Sequence, residues 1–241
     1  MRKTVIILSV LTLIVGSCRQ AMKKQVEIVQ DEIIIGENSE EQDSEFIDYF
    51  VNYQYIDGAV TINFLDFILT INRLSLWDGR KYIDEIHKDT VYLDVELGEN
   101  IEGQLLLIET SELIDIKVAQ RYETSITIMN EGPHCDLTDW KHYYSEWQQL
   151  KKNEEGEFVC EKYERTEYEK FPAIDIEELK EEVKIRCGEK WFELVKNITS
   201  PTEYPSGVGI SRYFLKITGV REKDNQLVEK LIILGNSMGC L

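Results

Sequence analysis

Between residues 114 and 130 the chain alternates. Ile114, Ile116 and Val118 point one way from an extended backbone, and Asp115 and Lys117 point the other. A period of two belongs to a β-strand, whose successive side chains leave opposite faces of the pleat. Tyr122 to Met129 continues the run in β-prone residues (Thr124, Ile126, Thr127, Ile128). Asn130-Glu131-Gly132-Pro133 then closes it with turn chemistry.

Other segments follow the same pattern. Val91 to Leu97 and Gln104 to Glu109 read as strands around a turn at Gly98–Gly103. A hairpin is expected near Trp147–Tyr163, turning at Asn153-Glu154-Glu155-Gly156. Another should close the chain, with Tyr213, Leu215 and Ile217 on one strand face and Val228, Ile232 and Leu234 on the next. Residues 60–74 fit two periods. Val60, Phe64, Phe67, Ile71 and Leu74 have helical spacing, while Val60, Ile62 and Phe64 alternate; β-branching tilts the balance slightly away from helix. Helix is clearest at 176–187. Asp175 is a good N-cap, Glu178 follows three residues later, and Ile176, Leu179, Val183 and Cys187 share a face that Gly188 ends. Trp191, Leu194, Val195 and Ile198 suggest a second helix, with a loop from Pro201 to Gly209. The expected fold class is α+β: one β-rich, sandwich-like domain of mainly antiparallel strands over 46–241, with one or two helices near 175–198.

The first residues follow another logic. Arg2 and Lys3 precede the apolar run Val5-Ile6-Ile7-Leu8-Ser9-Val10-Leu11-Thr12-Leu13-Ile14-Val15, and Gly16-Ser17 lead into Cys18. Charged, apolar, then small is the order of a secretion signal. The apolar run falls short of the ~20 residues a spanning helix needs. With Val15-Gly16-Ser17-Cys18 as a lipobox, the segment resembles a bacterial lipoprotein signal. That resemblance covers residues 1–18 alone and implies cleavage before Cys18, with acyl chains on its thiol and amine. Two or three such chains anchor stably at ~0.8 kcal/mol per buried methylene. Arg19, not aspartate, follows the cysteine, which in a two-membrane bacterium implies the outer membrane. Residues 18–45 are then expected to form the lipidated end and a tether, with a β-like apolar pattern at Val26–Ile35 and an acidic polar run at Glu37–Glu45.

Removing residues 1–17 takes Arg2 and Lys3 but no acid, moving the net charge from −18 to −20. A chain this acidic is not built for nucleic acid, whose phosphates need Lys and Arg, nor for lying flat on an anionic bilayer. A solvated surface accounts for the charge, and a basic partner steered in by it is the sharper reading. Beyond Cys18 stand Cys135, Cys160, Cys187 and Cys240. In an oxidising envelope four cysteines suggest two disulfides. Three pairings are open, and the sequential one, Cys135–Cys160 with Cys187–Cys240, is the expectation.

Chemistry-bearing residues crowd into His134-Cys135-Asp136-Leu137-Thr138-Asp139-Trp140-Lys141-His142-Tyr143-Tyr144-Ser145-Glu146-Trp147. A metal would use His134 with Asp136, or Asp139 with His142, but neither spacing is a strong zinc motif, and no metal is expected. Trp140, His142, Tyr143, Tyr144 and Trp147 are the candidate binding residues, since Trp and Tyr give large, stiff contact area. The same rings could instead fill a core, and His142 could bond within the fold. No G-x-S-x-G elbow, G-x-G-x-x-G or Walker pattern occurs, so neither a catalytic residue nor a cofactor is named. The expected function is a non-enzymatic, membrane-anchored binding protein, an immunity-type inhibitor of an envelope-directed toxin or a capture protein for glycan or peptide. The alternative is an envelope hydrolase acting on peptidoglycan or polysaccharide through acidic residues with His134 or His142.

Overall fold

The computed structural model describes residues 52–56, 58–76, 89–96, 99–168, 171, 174–236 and 238. The expected leader, Cys18, the expected tether and strand at Val26–Ile35, and Cys240 lie outside the described residues. Two sheets and a helical pair make a β-rich, sandwich-like α+β domain.

The first sheet is antiparallel. Strands β1 (Asn52–Ile56), β2 (Ala59–Asn63) and β3 (Ile68–Ile71) form a meander. The ambiguous 60–74 stretch is therefore two strands, not a helix. Phe64 and Phe67 bracket the turn between them, rings 4.7 Å apart. The second sheet contains β4 (Thr90–Val95), whose neighbour in the chain, β5 (Leu105–Glu109), belongs to the first sheet against β3. The expected β4–β5 hairpin around Gly98–Gly103 is thus corrected: the segment carries the chain from one sheet to the other.

Two long strands dominate the second sheet, β6 (Leu113–Ile128) and, later in the chain, a partner spanning Ser206–Arg221. Asp115 holds φ 53° at a register shift near the start of β6. This irregularity sends Leu113 inward and leaves Ile114 44% exposed, so the simple alternation from Ile114 is broken there. Segments β7 (Cys135–Asp136), β8 (Tyr143–Tyr144) and β9 (Gln148–Gln149) each pair with β6 and together make an interrupted edge strand. Interruptions of this kind blunt an edge against pairing with other chains. After buried Leu150 the chain crosses to the first sheet as β10 (Lys151–Lys152) and β11 (Phe158–Val159), turning at Asn153–Gly156 as expected.

After a short α1 (Arg165–Tyr168) comes α2 (Ile176–Cys187), where Asp175 accepts from the Glu177 and Glu178 amides and Gly188 closes at φ 91°. Helix α3 (Glu189–Val195) follows directly. The Ser206–Arg221 strand is β12, and β13 (Leu227–Asn236) folds back on it and runs parallel to β4. β12 begins inside the stretch read as a loop. Gly207 and Gly209 are strand residues there, with the Met129 and Met238 side chains close over their α-carbons.

One inner face of the second sheet meets two covers. Val118, Tyr122, Tyr213, Leu215 and Ile217 pack against Val60, Ile62, Leu69 and Leu106 of the first sheet. Further along, Ile126 and Ile128 pack with Leu137, Leu179, Val183, Val195 and Ile198 under the helical pair. β12 serves both cores only because of a bulge. Ile210 pairs with Thr124 and Arg212 with Glu123, leaving Ser211 inserted between them. Even-numbered Ile210 and odd-numbered Tyr213 thereby face the same side; an unbroken strand would turn one of them to solvent. At the other end, Asp66 receives Arg221 Nε at 2.7 Å and Nη2 at 3.1 Å, tying a turn of the first sheet to β12 of the second.

Cysteine pairing differs from the sequential expectation. Cys135 of β7 bonds Cys187 at the end of α2, with Cα atoms 6.1 Å apart. Cys160 is buried in the sheet core, with no disulfide partner among the described residues. Cys135–Cys160 fails because Cys135 lies in β7 of the second sheet and Cys160 follows β11 of the first, whereas β7 lies under α2.

Candidate functional site

The bulge gathers polar groups on the outer face of the second sheet. Glu123 is fully buried there. Ser211 Oγ donates to its Oε1 at 2.7 Å, and Arg212 Nη1 lies 3.3 and 3.4 Å from its two oxygens. The Tyr144 hydroxyl bonds to it as well. Burial, then that bond and the Glu123 charge, raise the Tyr144 hydroxyl above its usual range, with Arg212 and Arg121 opposing. Ser125 Oγ donates to Ser211 Oγ at 2.8 Å. One hydroxyl has one proton, so the 3.1 Å contact of Ser125 with His142 Nδ1 must be donated by the ring. The donor chain runs from His142 through Ser125 and Ser211 and ends on the Glu123 carboxylate, which accepts. Glu123 Oε1 is also 3.5 Å from His142 Nδ1.

Serine, histidine and glutamate here do not form a nucleophilic triad. Ser125 is fully buried and Ser211 is 2% exposed. The Ser211 hydroxyl proton is committed to the carboxylate and that of Ser125 to Ser211, and the same imidazole nitrogen faces both Ser125 and Glu123. The arrangement compensates a buried charge, which is costly unless paired and hydrogen-bonded.

Beside this network lies a shelf of rings and cations. The Arg121 guanidinium stands 4.9 Å from the Tyr144 ring centroid, 4.6 Å from Trp147 and 4.9 Å from Phe214. Lys216 Nζ stands 4.6 Å from Trp147. Each part follows from register. Arg121 and Phe214 pair across β6 and β12, Lys216 pairs with Ala119, and Tyr144 pairs with Glu123. Among the described residues, buried Arg121 Nε has no hydrogen-bond acceptor, so the three rings are its main compensation. Tyr144 remains 44% exposed.

The candidate binding residues divide. His142, Tyr144 and Trp147 converge on this outer face. Tyr143 turns inward, its ring 6.3 Å from Tyr122 in the sheet core. Trp140 packs against the helical core, with Lys141 Nζ 5.4 Å above its ring and bonded to Glu178 at 2.6 Å. His134 Nδ1 meets the Met238 carbonyl at 3.0 Å, while Asp136 accepts from Thr127 at 2.5 Å and Asp139 faces Arg212 at 4.0 Å. These residues do not converge, and among the described residues no group of three or more His, Cys, Asp or Glu is placed to hold a metal ion.

Arg121, Glu123, Ser211, Arg212, Phe214 and Lys216 are not among the residues that stand out in the sequence. A signal was present: Arg121, Glu123 and Ser125 alternate as polar residues inside a strand otherwise read as apolar and β-prone. Comparison with known proteins finds no matching family model, no matching curated protein and no matching solved structure.

Proposed function

We propose that this chain is a lipid-anchored binding protein of the bacterial envelope, held through Cys18 at the outer membrane, and that it works without catalysis. Its binding face is the outer face of the second sheet. One observation carries this reading: Arg121, Tyr144, Trp147 and Lys216 form a pre-ordered shelf of rings and cations beside a fully compensated carboxylate. Ordering side chains before contact lowers the entropic cost of association, and Trp, Tyr and Arg dominate binding hot spots. A surface of this kind suits an immunity-type inhibitor that meets a toxin at the membrane, or capture of a glycan or peptide. The buried hydroxyls near His142 favour binding over hydrolysis.

Affinity capture of the lipidated chain from gently solubilised envelopes tests this. A partner held by the wild type and lost from the Tyr144→Ala/Lys216→Glu variant is expected. Equal recovery by both proteins, or recovery by neither, contradicts the reading.

A further inference from the structure

A groove of about 330 Å³ opens at the bulge, lined by Asp94, Thr138, Ser211, Arg212, Gly235 and Asn236 among others. Register fixes its layout. Asp94 of β4 pairs with Gly235 of β13, and Gly235 pairs with Arg212 of β12. An acid, a residue without a side chain and a base therefore stand in one row across three strands. Two strand spacings separate the Asp94 and Arg212 backbones by roughly 9.5 Å. Gly235 is the floor. A Cβ there would lie 2.4 Å from Asp94 Oδ1, so the carboxylate leans over the floor. Arg212 is fixed from behind by buried Glu123, which Ser211 also holds. Asn236 donates its side-chain amide to the Ile210 carbonyl at 3.2 Å.

We propose that this groove binds a small dipolar ion bearing an α-ammonium group and a carboxylate: a free amino acid, or a short peptide with both termini free. The ammonium group meets Asp94 and the carboxylate meets Arg212. Thr138 and Asn236 line the remaining wall. A volume near the lower end of small-molecule sites suits a ligand of one or two residues. A purely cationic ligand is repelled by Arg212, and a purely anionic one by Asp94 and the acidic chain. The groove uses none of the rings of the shelf, so it stands or falls separately from the partner-binding reading.

Calorimetric titration of the full chain in detergent tests the assignment. The probes are alanine, alanyl-alanine, N-acetyl-alanyl-alanine and alanyl-alanine amide. Uncapped probes should bind. Capping either end of the dipeptide should weaken it about tenfold or more, the scale of one lost charged hydrogen bond. Tighter binding of alanine makes the ligand an amino acid; tighter binding of the dipeptide makes it a peptide, and either supports the site. Asp94→Asn, at an exposed position, and Gly235→Ala, whose methyl displaces only the mobile end of Asp94, should each lose binding and keep the unfolding midpoint. The proposal is overturned if no uncapped probe binds, if capped probes bind equally well, or if Asp94→Asn binds like the wild type. Should Gly235→Ala not fold, Asp94→Asn decides alone.

Discussion

Ser211 donates to Glu123 at 2.7 Å, and Ser211 is the residue that the bulge in β12 inserts. One irregularity thus does two jobs. It keeps both halves of β12 facing the core, and it delivers a hydroxyl to a carboxylate with no access to water. Ser211→Ala removes that donor and the acceptor used by Ser125. Denaturant unfolding should show a loss of about 1–3 kcal/mol. Arg212→Met should cost more, about 3 kcal/mol or above, because Glu123 then loses its cation. Replacing Glu123 by Gln in the Arg212→Met background should recover part of the loss. No recovery would mean that the Glu123 charge is not what Arg212 compensates.

The cysteines give a second expectation. Non-reducing peptide mapping should find Cys135 linked to Cys187 and Cys160 unlinked. Burial pushes the Cys160 thiol well above its ordinary range, with the Glu161 charge adding to it. A thiol kept protonated and enclosed should resist alkylation in the native protein and react once the protein unfolds. Replacing Cys135 and Cys187 by Ala opens a loop spanning 52 residues. On the chain-entropy model this should cost about 4 kcal/mol. A Cys135–Cys160 peptide would contradict the packing of β7 under α2.

Alkaline pH probes the sheet core. Burial, followed by Tyr143 and Glu167, raises Tyr122 to about 12. Its hydroxyl donates to the Glu167 carbonyl at 2.8 Å. An unfolded tyrosine ionises near pH ~10. A raised folded value means that the native state keeps a proton the unfolded state gives up. This contribution is therefore complete below about pH 10 and is lost as pH rises towards 12. Urea midpoints measured from pH 8 to 12 should fall over that window, and less steeply in Tyr122→Phe. An equal slope in both proteins would place the effect elsewhere.

Much of this fold is legible in the sequence, for local reasons. Period-two runs gave β6, β12 and β13, and Asp175 with Gly188 bounded α2, because alternation and capping act over a few residues. What was not legible depends on distant partners. β4 joins β13 in parallel, a pairing no local turn announces. Asp115 breaks the alternation around Ile114 because the register with β12 shifts there. Gly207 and Gly209 look like loop residues, yet they lie in a strand where Met129 and Met238 approach closely. The site was half legible. Trp147, Tyr144 and His142 stand out as residue types, but Arg121, Phe214 and Lys216 acquire meaning only when register places them beside those rings. Tyr143 and Trp140 look the same in sequence and face the cores instead.

Site-specific photo-crosslinking in intact envelopes tests whether a partner docks on the shelf of rings and cations. A photoreactive residue at position 144 on the outer face of the second sheet is compared with one at position 68, where Ile68 is exposed on the first sheet. A discrete adduct is expected from position 144, abolished by Lys216→Glu, and none from position 68. An adduct from position 68 alone, or none from position 144, would contradict it.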